Sequence, residues 1–251
     1  MPSPTILGTP VATSGETNHP IVLDGGTNRI VIGCAITEAG YMTLPRIGGI
    51  VSFTSAIDLR VDNCQTTIFY VLEANLPADA TYSSTASPST NRYFTCVIQD
   101  AKQEAPTLGT STSVTGGADV TAFTDTITIS TAGEFALMNV GDMSGGEEHT
   151  CPGDQVELDD AGSNFRNMYV TYTLAPSKGA KTLYCYQPTV HWGGAVSVAW
   201  EYYMDIQEGG IGSTWLGVNF FKEYQKNYDR IFKPPKKKIL TLPGILTPFP
   251  I

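Results

Sequence analysis

The sequence predicts an all-β protein, a two-sheet antiparallel sandwich that ends in a short C-terminal helix and an extended arm. Three observations carry that expectation. Thr, Val, Ile, Tyr and Phe are plentiful while charged residues make up 16% of the 251 residues, a composition that favours strands. Short apolar or alternating runs, punctuated by Gly-rich turns, follow one another with hardly a window of helical period before residue 218. The last thirty residues then change character. Residues 222–251 carry seven Lys+Arg against two Asp+Glu, a net of +5, which leaves −14 for residues 1–221 out of the chain's −9.

The opening stretch MPSPTILGTPVATSGETNHP has neither the basic region nor the continuous apolar run of a secretory signal. Residues 1–19 read as a flexible lead-in, 20–208 as one sandwich domain and 209–251 as the helix and arm. The predicted strands fall at 21–23, 29–37, 49–61 (two strands or one bent), 67–74, 92–100, 124–130, 134–143, 167–175, 181–190 and 195–204. In RYFTCVIQD, Phe94, Cys96 and Ile98 point to one face, expected to be the buried one, and Tyr93, Thr95 and Gln99 to the other. RIVIGCAIT is apolar or small on both faces, so it is expected at the centre of a sheet covered on both sides. Gly pairs at 25–26, 48–49, 116–117, 145–146 and 193–194 supply the positive φ that tight turns need. The stretches Pro77 to Thr90 and Ala105 to Ala122 read as surface loops, and no internal repeat at a fixed period stands out.

Five cysteines, Cys34, Cys64, Cys96, Cys151 and Cys185, are odd in number and irregularly spaced. They read as mostly reduced thiols, with Cys34 and Cys96 buried on core faces, as in a protein made in a reducing cytoplasm.

The succession Asn28-Arg29 before IVIGCAIT, Gly48-Gly49, Phe69 to Leu72 with Leu76-Pro77, Phe94 to Ile98, Ala132-Gly133 before EFALMNV, and His191-Trp192 before AVSVAW resembles a β-sandwich module of bacteriophage virion proteins and bacterial extracellular proteins. The resemblance spans about residues 20–202 and departs from the pattern at Ile47, where an aromatic usually precedes the Gly-Gly turn. It implies a jelly-roll-like sandwich used in virion architecture or adhesion, and it carries over no catalytic residue.

Chemistry-bearing clusters are few. Glu147, Glu148, His149 and Cys151 are metal-ligand types, but no second Cys or His pair follows at ligand spacing. Asp154, Glu157, Asp159 and Asp160 could offer oxygens to calcium, yet lack the ordered acidic loop and its terminal bidentate glutamate. The histidines His19, His149 and His191 come with no nucleophile elbow. Glu73 and Glu201 read as strand-end residues rather than as a glycosidase pair. Phosphate-binding and dinucleotide fingerprints are absent from the sequence, and no Asn-x-Ser/Thr acceptor occurs. The reading is therefore a non-enzyme with no cofactor and no metal. His191 and Trp192 are the candidate glycan contacts, an imidazole beside an indole that could stack on a sugar ring.

The tail supplies the partner expectation. Phe221, Tyr224, Tyr228, Ile231 and Phe232 recur at helical spacing, so one face of a short helix would be aromatic. After Pro234, Pro235 and Lys236 to Lys238, the residues Ile239, Leu240, Leu242, Ile245, Leu246 and Phe249 form an apolar arm interrupted by prolines, too short to span a bilayer. Such an arm is expected to dock on other virion subunits or on copies of the chain itself. Nucleic acid is excluded for the acidic body, because phosphate attraction needs a basic face. The expectation is a capsid-decoration, tail or fibre component of a virion, made in a bacterial cytoplasm; the alternatives are a carbohydrate-binding adhesin or fibre head, and a glycan-degrading domain.

Overall fold

The computed structural model describes residues 3–14, 18–38, 42–85, 90–115, 120–142, 149–163, 166–190 and 192–203. Met1–Met204 forms one compact unit. His191 and every tail residue from Phe221 to Phe249 on which docking was expected lie outside the described residues. Apart from a short 3-10 turn at Glu73–Asn75, all regular structure among the described residues is strand, and all pairing between named strands is antiparallel.

The first half runs β1 (Thr5–Ser14), β2 (Asn18–Leu23), β3 (Ile30–Glu38), β4 (Arg46–Ile47), β5 (Val51–Ser52), β6 (Thr54–Val61), β7 (Cys64–Leu72), β8 (Ala80–Thr85) and β9 (Thr90–Gln99). The second half runs β10 (Thr107–Leu108), β11 (Thr112–Val114), β12 (Val120–Ile129), β13 (Phe135–Asp142), β14 (Val156–Ser163), β15 (Arg166–Leu174), β16 (Gly179–Val190) and β17 (Gly193–Trp200). The N-terminal segment expected to lead in to the domain thus contributes β1, the edge strand that pairs with β9.

Four sheets stack in layers rather than two. An outer sheet, β2-β8-β4-β5, covers one face of an inner sheet, β1-β9-β3-β7-β6, through Ile21, Leu23, Ile47 and Phe53 against Val31, Phe69, Val71, Tyr93 and Val97. The opposite face of that inner sheet meets a second inner sheet, β10-β17-β13-β15-β14 with β11 also on β17. There Ile30, Ile32, Phe94 and Ile98 pack on Phe135, Leu137, Val170, Val198 and Trp200. The two-stranded sheet β12-β16 closes the far side with Phe123, Ile127, Ile129 and Leu183. Each fully buried side chain of this kind contributes about 1.5–3 kcal/mol. The central position of β3, covered on both faces, is as its sequence predicts. For β9 the expectation is corrected: Tyr93 and Thr95 are buried as well as Phe94, Cys96 and Ile98, because β9 also lies between two layers.

The halves repeat one another in register, which the sequence reading did not detect. Ile30 of β3 stands opposite Leu72 of β7 and Ile98 of β9; Phe135 of β13 stands opposite Leu174 of β15 and Trp200 of β17. Each half has the same hairpin with the same fault. Its β-bulge leaves Ala56 unpaired between Ser55↔Phe69 and Ile57↔Ile68, and Leu158 unpaired between Glu157↔Thr171 and Asp159↔Val170. Both edge strands break at Leu-Gly-Thr, residues 7–9 and 108–110. Within the first half the pairs β1:β9, β2:β8, β3:β7 and β4:β5 nest one inside the next. In the second, β12:β16 and β13:β15 repeat the middle of that nest.

The two halves also exchange backbone bonds symmetrically. Lys102 N donates to Glu201 O and Tyr203 N donates to Asp100 O, flanking an antiparallel bridge between Ala101 and Tyr202.

Candidate functional site

A buried polar group lies where β13, β14 and β15 of the second half run side by side. Asp142 closes β13, Asp160 sits on β14, and His149 enters from the chain between them. His149 Nε2 is 2.7 Å from Asp142 Oδ2, and Nδ1 is 3.0 Å from Asp160 Oδ1. The His149 backbone N–H donates to the other Asp160 oxygen at 3.2 Å. Both ring nitrogens face carboxylates that only accept, so both must carry hydrogen and the ring is an imidazolium. Burial works against that charge, but the hydrogen bonds to Asp142 and Asp160 outweigh it and raise the pKa to about 9. Asn167 Nδ2 donates to Asp142 Oδ1 at 3.4 Å, and the imidazole stacks on Tyr169 at 5.3 Å.

The equivalent place in the first half shows what this group does. Thr37 and Gln65 pair across β3 and β7 as Asp142 and Asn167 pair across β13 and β15. Asp58 of β6 opposes Thr67, as Asp160 opposes Tyr169. Gln65 donates to Asp58 at 2.7 Å and accepts from the Met42 backbone N–H at 3.2 Å. In both halves a polar cluster on three adjacent strands grips the chain that leaves the inner sheet. The incoming chain is held through its own imidazole and backbone N–H by Asp142 and Asp160 in one half, and through its backbone N–H by the Gln65 carboxamide in the other. His149 acts here as a clamp, and with both ring nitrogens against carboxylates neither is left to take a proton from a substrate or to ligate a metal.

The remaining sequence candidates separate. Of the four acids weighed as calcium ligands, Asp154 is exposed and ion-pairs with Lys181, while Asp160 belongs to the clamp. Burial raises the carboxyl of Asp159 to a pKa of about 6, against the nearby charge of Arg92. Glu73 follows β7 and grips Arg29 with both oxygens, at 2.6 Å and 2.9 Å, and the guanidinium also reaches Asp79 at 2.6 Å. That pairing holds the Glu73 carboxyl below its ordinary range. Glu201 pairs with Lys102 at 3.1 Å. His19 is not in a lead-in: it lies buried on β2 between Thr13 and Thr95 at 3.1 and 2.5 Å, and burial lowers its pKa to about 4. Cys34 and Cys96 are buried on the inner sheet as expected, and burial drives both thiols up, that of Cys96 to about 12.

Trp192 stands at the head of β17 with 43% of its surface exposed. It faces the two-residue turn between β6 and β7, and the cleft of about 440 Å³ between them is lined by Val61, Asp62, Asn63 and Trp192. The indole is visible in the sequence as a residue type, whereas the turn lies more than a hundred residues away, and the approach of the halves creates the juxtaposition. Asp142 likewise goes unrecognised in the sequence as the partner of His149, although an acid ending an apolar strand, EFALMNVGD, is a usable signal of a buried ion pair. No protein-family model, curated protein or solved structure matches the chain.

Proposed function

We propose that this chain is a structural, non-catalytic component of a bacteriophage virion, a capsid-decoration, tail or fibre protein held to neighbouring subunits through its C-terminal arm. One observation carries the reading: a nested strand wrap is repeated in register and stacked into a single four-layer body. We read that nesting as jelly-roll-like, an architecture that serves viral capsid and lectin domains. Two further features support it. The most elaborate acid-base group is consumed as a clamp, and the basic, aromatic tail contrasts with an acidic body. Several aromatic side chains, each burying about 150–250 Å², would outweigh the few kcal/mol needed to order a proline-stiffened segment.

The test compares virions assembled with the full chain and with a chain ending at Met204. The expected result is a truncated protein that keeps a β-type circular dichroism spectrum but is missing from purified particles. Normal occupancy of the truncated chain overturns the docking role of the tail, and absence of the full chain from particles overturns the virion reading altogether. Replacing Lys236, Lys237 and Lys238 by Ala should weaken attachment far less, and mainly at low salt.

A further inference from the structure

We infer that the cleft between Trp192 and the Asp62-Asn63 turn is a binding site for a neutral saccharide. This goes beyond the architectural role and does not depend on it.

Its components are of the kind a sugar ring requires. A half-exposed indole offers an apolar face to the ring's C–H groups, and a carboxylate with a carboxamide offers acceptors and donors to hydroxyls. The volume, about 440 Å³, falls within the range of small-molecule sites, with one apolar wall and few polar groups.

The walls are held before any ligand arrives. Directly after Trp192, a side chain on Gly193 would run into the Gly141 carbonyl, and one on Gly194 would run into Leu59 of the first half. The start of β17 is therefore pressed against both β13 and β6. Opposite it, Asp62 has φ 51° in a two-residue turn closed by the Val61↔Cys64 pair, and Arg60 Nε donates to the Asp62 carbonyl at 3.4 Å. A preorganised site loses less conformational freedom on binding.

The same features exclude other ligands. A peptide adding to a sheet needs an open strand edge, whereas this cleft is walled by a turn and an indole. Phosphate-bearing or sialylated ligands meet Asp62 and, among the described residues, no basic lining residue, on a body of net −14 through residue 221.

The experiment titrates the full chain with methyl glycosides of glucose, galactose and N-acetylglucosamine and their short oligomers, by saturation-transfer NMR and calorimetry, with sialyllactose as the anionic control. At least one neutral probe should bind, and Trp192→Ala should weaken it about tenfold or more. Trp192→Phe should restore part of the affinity, because it retains an aromatic face, and Asp62→Ala should also weaken binding. Sialyllactose should bind no tighter than the neutral probes. Trp192 is half-exposed, so the thermal midpoint of its variants should match the parent and separate lost binding from lost folding. Failure of every neutral probe to bind at about 10 mM, or equal binding by Trp192→Ala, overturns the inference. Either result leaves the particle-occupancy test untouched.

Discussion

Gly33 and Phe69 are direct partners across β3 and β7, and their equivalents in the second half, Met138 and Thr171, are direct partners across β13 and β15. One half pairs no side chain with a large one; the other pairs a large one with a small one. The total volume between each inner sheet and its outer sheet is shared differently by the same two positions. A Cβ on Gly33 would overlap the Phe69 ring. Gly33→Ala should therefore destabilise by about 1–3 kcal/mol through overpacking, and Phe69→Leu alone should also destabilise, through the cavity it leaves. Combined, they should cost less than their sum, with a coupling of about 0.5–3 kcal/mol in a denaturation cycle. Additive losses would mean that the two side chains do not compete for one space.

The halves are predicted to melt together. Tyr70 of the first half and Trp200 of the second meet edge-on at 5.9 Å within the core shared by the inner sheets. Asn139 Nδ2 adds hydrogen bonds to the Ala35 and Thr67 carbonyls across the same seam, at 3.3 and 3.0 Å. Exposing either inner face would uncover a whole apolar layer, so calorimetry of the body should show one transition. Trp200→Ala should lower it by about 3–5 kcal/mol without splitting it. Two resolved transitions would show that each half is stable by itself.

Arg29→Lys tests the corner that ties β3 to the turn after β7. The guanidinium grips Glu73 with two nitrogens and Asp79 with a third contact, a geometry that a single ammonium cannot reproduce. The expected cost is about 1.5–3 kcal/mol by chemical denaturation, and an unchanged midpoint would show that the fork is incidental.

The sequence made the central strands legible and the peripheral ones not. All ten predicted runs appear as strands or parts of them, because strands with two covered faces must be apolar throughout. The missed strands β1, β4, β8, β10, β11 and β14 lie at sheet edges or in an outer layer, where one solvated face admits Thr, Ser, Asp and Glu. The chain ATYSST therefore looks like a loop, and VELDDAGS like a charged exposed loop. The duplication escaped for a related reason. Register equivalence preserves which face is filled, not which residue fills it, as Cys34 against Asn139 and His19 against Asp125 illustrate. Of the candidate sites, the indole was visible as a residue type, but its opposing turn depends on a long-range approach that no local pattern encodes.

The two buried histidines should give stability opposite pH slopes. His149 binds its proton more tightly folded than unfolded, with a pKa of about 9 against an unfolded value near 6.5. Its contribution, about 3 kcal/mol, is full below pH 6.5 and is lost as pH rises through about 9. His19 has the reverse sign. Its folded pKa is about 4, so its contribution is full above pH 6.5 and is lost as pH falls toward 4. Asp159, raised to about 6, gains relative stability as pH falls through that value, which opposes His19 over the same interval. Stability should accordingly vary little between about pH 4 and 6.5 from these three groups and decline from about pH 6.5 to 9. Histidine ring ¹⁵N shifts read the two imidazoles directly: one should titrate near 9 and the other near 4. His149→Gln should cost about 3–5 kcal/mol at neutral pH, because Asp142 would then be buried without its cation. If both rings titrate near 6.5, the clamp is not an ion triad, and Asp142 and Asp160 hold His149 as a neutral ring.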